Sequence, residues 1–141
     1  LHDIGVSVDV LNHHVASRDL ILSSGELKGV FSGREVWIVA WTAFFHRRRV
    51  NPLEYDEEEW SGCKGSTDWW TVVKLSAILR VADALDRSLR QVVDDVKLER
   101  EDNVVRLKVY SSNDANIEVE RAKKKGKLFE DVFNVKLEVF Q

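Results

Sequence analysis

Apolar residues recur at helical spacing through residues 69–93, WWTVVKLSAILRVADALDRSLRQVV: Val73, Ala77, Val81, Leu85, Leu89 and Val92 lie three or four apart, with no Gly or Pro between them. The spacing predicts a helix of more than five turns with one buried face. Arg80, Asp83, Arg87 and Arg90 share a second line of the same helix, which sets one carboxylate among cations. Upstream the pattern is shorter. Residues 1–10 read as the last turns of a helix. Asn12 can cap a second helix that has His13 and His14 in its first turn, and Ser23, Ser24 and Gly25 break it. Residues 23–33 read as a loop. Ser32 is then the N-cap of a helix from Arg34 to about Arg48, whose Trp37, Ile38, Trp41, Phe44 and Phe45 make an aromatic face.

The segment NPLEYDEEEWSGCKGST, residues 51–67, is acidic and contains the only proline. It reads as a surface loop, after which Thr67 or Asp68 caps the long helix. Beyond Asp94 the period falls from 3.6 to 2. Val96 and Leu98 alternate with Lys97 and Glu99, and Val105, Leu107 and Val109 follow across Glu101, Asp102 and Asn103, a hairpin signal. Ile117 and Val119 suggest a third strand, residues 124–133 a short helix, and residues 135–140 a last strand. The fold expected is α+β, with a helical bundle over residues 1–95 and a small β-β-β-α-β module over residues 96–141.

With 141 residues, 44% of them hydrophobic and with five Trp and six Phe among them, the chain can bury a core. The net charge of −3 gives no overall field to recruit nucleic acid or an anionic membrane. One cysteine, Cys63, leaves no internal disulfide and no cysteine-rich zinc site, and it reads as unreactive. A reducing cytoplasm fits. No apolar run approaches the roughly 18 residues of a membrane span. The chain opens inside LHDIG and has no Met, so we expect it to be a segment of a longer protein.

The adjacent His2 and Asp3 can offer an imidazole nitrogen and a carboxylate oxygen to one divalent cation. All four histidines, His2, His13, His14 and His46, fall in the first third of the chain, on three predicted helices that could converge on Asp83. Two readings of Asp83 stand at this stage: an ion-paired acid on a solvated helix face, with Asp86 and Arg90 pairing beside it, or a ligand. Arg47, Arg48, Arg80, Arg87, Arg90 and Lys124 supply cations suited to phosphate oxygens, and a solvated charged face is the rival reading for each.

LHDIG, the His13-His14 pair ahead of a helix, the Phe-His-Arg-Arg segment at residues 45–48 and ILRVADALDRSLRQVVDDVKLE together resemble the HD-type metal-dependent phosphohydrolase domain. More narrowly they resemble the C-terminal HD domain of the exopolyphosphatase and guanosine pentaphosphate phosphohydrolase family, and KKGKLFEDVFNVKLEVF is similar to that family's closing helix and strand. The resemblance implies His2, Asp3 and Asp83 as metal ligands, with a second site drawn from His13, His14 and His46. It implies a divalent ion (Mn, Mg, Fe, Co, Ni or Zn) and a parent that cleaves phosphoanhydride bonds of polyphosphate or guanosine pentaphosphate in actin-like N-terminal domains. This segment would then mainly bind polyanion and build a homodimer. An autonomous nucleotide phosphohydrolase and a non-enzymatic regulatory domain are the rivals. Two departures stand out: the family's first histidine would lie upstream of this chain, and Ala16 stands where the family often has a ligand histidine.

Overall fold

The computed structural model describes residues 1–47, 49–86 and 88–141; Arg48 and Arg87 lie outside the described residues. It divides the chain into two compact units, Leu1–Ser76 and Ala77–Gln141, and the division falls within one helix. The class is α+β, with helices mostly ahead of the strands.

The first unit opens with a short 3-10 helix, Ile4–Ser7, followed by α1 (His13–Ser23), α2 (Gly25–Val30), α3 (Gly33–Phe44), α4 (Glu58–Ser61) and the start of α5 (Thr67–Leu85). At α3 the expected cap forms in full. The Ser32 hydroxyl accepts the Glu35 N–H while the Glu35 carboxylate accepts the Ser32 N–H at 2.8 Å, a capping box. Two expectations fail here. Residues 25–30 are helical rather than loop, because the Ser24 hydroxyl takes the Leu27 N–H and starts a turn. Residues 51–67 are not merely surface: Trp60 and Pro52 are buried, and the Trp60 indole donates to the Pro52 carbonyl at 2.9 Å. Trp60 packs at 5.2 Å from Trp41 and 4.6 Å from Phe45, so the acidic segment closes over the aromatic face of α3. α1 packs on α3 through Ile21, Val36, Ala40 and Ala43.

In the second unit, β1 (Asp95–Glu101) pairs antiparallel with β2 (Val104–Tyr110), and β2 pairs parallel with β3 (Lys136–Phe140), in the order β1-β2-β3. The hairpin turns at Asp102, which takes φ 52°, a left-handed conformation that Asp tolerates. The parallel β2–β3 link needs a crossover, and α6 (Asn116–Lys125) and α7 (Lys127–Phe133) supply it. The module is therefore β-β-α-α-β, and the strand expected at Ile117 and Val119 is helical. Ala115, Val119 and Ala122, spaced four and three apart, are its buried stripe, whereas Ile117 faces solvent. They pack with Val81, Ala84, Leu107, Val109 and Val139 into one core. The long helix stops at Leu85, short of the expected residue 93; Leu89 and Gln91 take positive φ and Leu89 is exposed. Among the described residues no helix is long and apolar enough to cross a membrane.

Candidate metal centre

Asp3, His13 and His46 meet in the first unit although 43 positions separate the first from the last. Gly5 sets the approach. Its N–H donates to the buried Ser17 hydroxyl at 2.9 Å, and a Cβ on Gly5 would stand 2.4 Å from the His13 carbonyl oxygen and 2.5 Å from the Ser17 nitrogen. Only glycine lets the 3-10 helix lie this close to the first turn of α1, which carries Asp3 to His13. α1 itself is started by Asp9, whose carboxylate accepts the Leu11 and Asn12 N–H groups at 2.8 and 2.9 Å; the Asn12 side chain caps nothing. Those bonds, that from the Asn12 N–H foremost, hold the Asp9 carboxyl below its ordinary range. His46 follows the C-terminus of α3. The Arg47 guanidinium donates to the Leu11 carbonyl, fastening that end to the residues before His13.

The three facing atoms form a near-equilateral triangle. His13 Nε2 lies 3.2 Å from His46 Nε2 and 3.3 Å from Asp3 Oδ1, and His46 Nε2 lies 3.4 Å from the same oxygen. Each ring's other nitrogen faces a main-chain carbonyl: His13 Nδ1 stands 3.0 Å from Val10 O, and His46 Nδ1 bonds to Ala43 O. A carbonyl cannot donate, so Nδ1 carries a proton in both rings; with both rings neutral, the two Nε2 lone pairs point at each other and at a carboxylate oxygen. Three lone pairs at this separation repel unless a cation or a proton sits among them. Ligand atoms about 2.1 Å from one cation, at angles between about 90° and 109°, lie about 3.0–3.4 Å apart, which the observed triangle matches. The carbonyl-bound Nδ1–H groups are the outer contacts that orient metal-binding imidazoles. His46 is 4% exposed and Asp3 about half, so the group is walled on one side and open on the other.

His2 Nε2 approaches Asp3 Oδ2 at 3.2 Å, and its ring packs against that of His46 at 5.2 Å. His14 is turned away onto Phe44, 5.2 Å between ring centres. Its Nδ1 is buried without a hydrogen-bond partner, and burial first, then the Arg47 charge, holds its pKa low.

The remaining expected site residues lie as follows. Asp83, in the second unit, forms an ion pair with Lys125, a residue of the Lys123–Lys125 run other than the Lys124 expected to matter. Lys124 itself is exposed, as is Arg90. Arg80 is buried, and burial pulls its guanidinium down to about 10. Arg48 and Arg87 are among the expected phosphate contacts and lie outside the described residues. Sequence reasoning missed Gly5, Ser17, Asp9 and Lys125; only the glycine of LHDIG, a small residue two places after a candidate ligand, carried a usable signal. No protein-family model matches this chain, and no curated protein matches it.

Proposed function

We propose that this chain is an HD-type domain of an exopolyphosphatase-like phosphatase, that it holds a divalent cation through Asp3, His13 and His46, and that it binds phosphate groups of polyphosphate or a guanosine polyphosphate in the cytoplasm. The observation that supports the reading is the triangle of lone pairs, each imidazole held in the ligating tautomer by a main-chain carbonyl. A bound cation would supply Lewis-acid polarisation of a phosphate oxygen and a more acidic water. Asp3 brings the one negative charge of the set, and its exposed side leaves room for an anion to approach. We assign the domain binding rather than turnover. Ala16 offers no ligand where the resembled family often has a histidine.

Isothermal titration of the chain with Mn, Co, Ni and Zn tests this. Asp3→Ala, His13→Ala and His46→Ala should each weaken metal binding at least tenfold, the cost expected when one of three ligands is removed. His14→Ala should leave it unchanged, and Asp83→Ala reads directly whether that carboxylate contributes. Metal affinity indifferent to all three ligand substitutions would overturn the assignment. Metal-dependent phosphate release from polyphosphate or guanosine pentaphosphate that is lost in Asp3→Ala would instead establish an autonomous phosphohydrolase.

A further inference from the structure

We propose that the aromatic cluster of the first unit is an electron relay: a one-electron oxidant that attacks Trp70 draws its electron, through Trp69, Trp60 and Trp41, from the Tyr55 phenol, which passes its proton to Glu57. The rings form one file. Between ring centres, Trp69 lies 4.8 Å from Trp70, Trp60 5.7 Å from Trp69, Trp41 5.2 Å from Trp60, and Tyr55 6.4 Å from Trp41. These are the separations of packed aromatic pairs, so each step joins neighbouring rings with no other side chain between them. Of the four indoles in the file only Trp70 is exposed, at 41%, while Trp69, Trp60 and Trp41 are buried. An oxidant in solution therefore meets Trp70 first. All five residues of the file lie in the first unit.

The polar ends of the rings give the file a direction. A buried indole N–H ordinarily finds a partner, yet the Nε1 atoms of Trp41 and Trp69 are buried with no hydrogen-bond partner among the described residues, and Trp60 Nε1 donates to the Pro52 carbonyl at 2.9 Å. None of the three has a base beside it. An indole that loses an electron there keeps its proton and remains a cation in apolar surroundings, where charge is costly, so it takes an electron from the next ring. Tyr55 differs. Its hydroxyl donates to the Glu57 carboxylate, and burial pushes the phenol up to about 12, so near neutral pH it holds its proton until the electron leaves. The proton then passes to Glu57, which leaves a neutral phenoxyl radical and moves the positive charge from the interior to an exposed side chain.

Two neighbours bear on this path. The Arg18 guanidinium lies 5.0 Å from the centre of the Trp41 ring and opposes a positive charge there, but it pairs with Asp19 at 2.9 Å and approaches Glu57 at 3.5 Å, and those carboxylates offset its field. Cys63 is the rival sink, because its thiol donates to the Trp60 carbonyl at 3.0 Å. A carbonyl takes up no proton, and burial pushes the thiol pKa up, so Cys63 lacks the base that Tyr55 has. In sum one electron passes from Trp70 to the oxidant, one from Tyr55 along the file to Trp70, and one proton from the phenol to Glu57. A thiol in solution then returns a hydrogen atom to the phenoxyl oxygen of the partly exposed Tyr55, itself becoming a thiyl radical, and Glu57 releases its proton to water. The indoles end unchanged, and the interior of the unit is spared oxidation.

The test is pulse radiolysis of the 141-residue chain in azide solution, where the azide radical is the oxidant and takes electrons from indoles in preference to phenols. The tryptophanyl absorption should decay and the tyrosyl absorption rise at one rate, independent of protein concentration. Tyr55→Phe should abolish the rise and leave the tryptophanyl radical in place. Tyr110→Phe, in the second unit, and Cys63→Ser should leave the transfer unchanged. Glu57→Gln removes the proton acceptor from the surface end of the file and should slow the tyrosyl rise by about a hundredfold. Trp60→Phe sets a ring that is not oxidised in the middle of the file and should slow it too. Circular dichroism establishes that each variant is folded. A tyrosyl signal that does not form, one that survives Tyr55→Phe or is altered by Tyr110→Phe or Cys63→Ser, or a rate indifferent to Glu57→Gln or to Trp60→Phe would overturn the proposal. The relay uses none of the candidate metal ligands, so Asp3→Ala should leave its rate unchanged, and this reading and the metal reading fail separately.

Discussion

Replacing Gly5 with alanine tests whether one close backbone approach builds the candidate metal centre. The new carbon would sit 2.4 Å from the His13 carbonyl oxygen where ordinary contact begins at 3.4 Å, and both this oxygen and the Ser17 nitrogen are main-chain atoms of a helix. No side chain can swing aside, so the 3-10 helix must lift off α1 by about 1 Å. Overpacking of this kind costs about 1–3 kcal/mol. If the lift also breaks the buried Gly5 N–H to Ser17 bond, an orphaned donor adds about 1–3 kcal/mol. For the metal the displacement is worse, because ligand positions must hold within about 0.2 Å. All five tryptophans, at 37, 41, 60, 69 and 70, lie in the first unit, so indole fluorescence in urea reports that unit's unfolding. We expect Gly5→Ala to lower its stability by about 2–4 kcal/mol and to abolish the stabilisation that saturating metal gives the wild type, about 4 kcal/mol at a thousand times Kd. Ser17→Ala, which removes the acceptor without adding a carbon, should lose stability but keep more of the metal response. A Gly5→Ala protein with unchanged urea midpoint and unchanged metal response would refute the reasoning.

Two further outcomes follow from caps and burial. Ser32→Ala should cost about 1 kcal/mol in the fluorescence-detected unfolding of the first unit, since it removes the capping hydroxyl of α3. The Glu35 carboxyl is held below its ordinary range, first by the Ser32 N–H, which the variant keeps, and then by the Ser32 hydroxyl, which it lacks; the hydroxyl's support is present above about pH 4.5 and is lost as pH falls through the lowered value, so the gap between wild type and variant should narrow in acid. Tyr55 is pushed up to about 12, by burial first and then by its hydrogen bond to Glu57. A phenol that ionises later when folded contributes stability below pH 10 that is lost as pH rises towards 12, so phenolate absorbance should show one late titration, and Tyr55→Phe should remove it and flatten the alkaline loss of stability.

The parts of the fold legible in the sequence are those fixed by neighbours along the chain. Ser32 and Glu35 sit three apart and close a box that needs nothing beyond the turn itself. Asp102 turns the hairpin between two runs of period 2. The parts that were not legible are settled by packing. Val119 belongs to a helix because Ala115 and Ala122 are buried with it, and an alanine is too small to announce a core position in a pattern of large apolar residues. Trp60 lies in an acidic stretch that reads as solvated, and the reason it is buried is the aromatic face of α3, some twenty residues earlier.

The choice between His13 and His14 follows the same logic. Adjacent residues of a helix point about 100° apart, so only one of the pair can face a given neighbour, and nothing in the dipeptide says which. Ser17 is four residues after His13, on the same line of α1, and it is the Ser17 hydroxyl that receives the Gly5 N–H. The face of α1 that takes the 3-10 helix is therefore the face that carries His13, and His14, a hundred degrees round, falls against Phe44. In LHDIG, then, the histidine and aspartate supply donors that many sequences contain, while the glycine decides which imidazole they meet. A chain with His-Asp but a larger residue at the position of Gly5 could not bring Asp3 to His13 by this route, whatever else of the motif it kept.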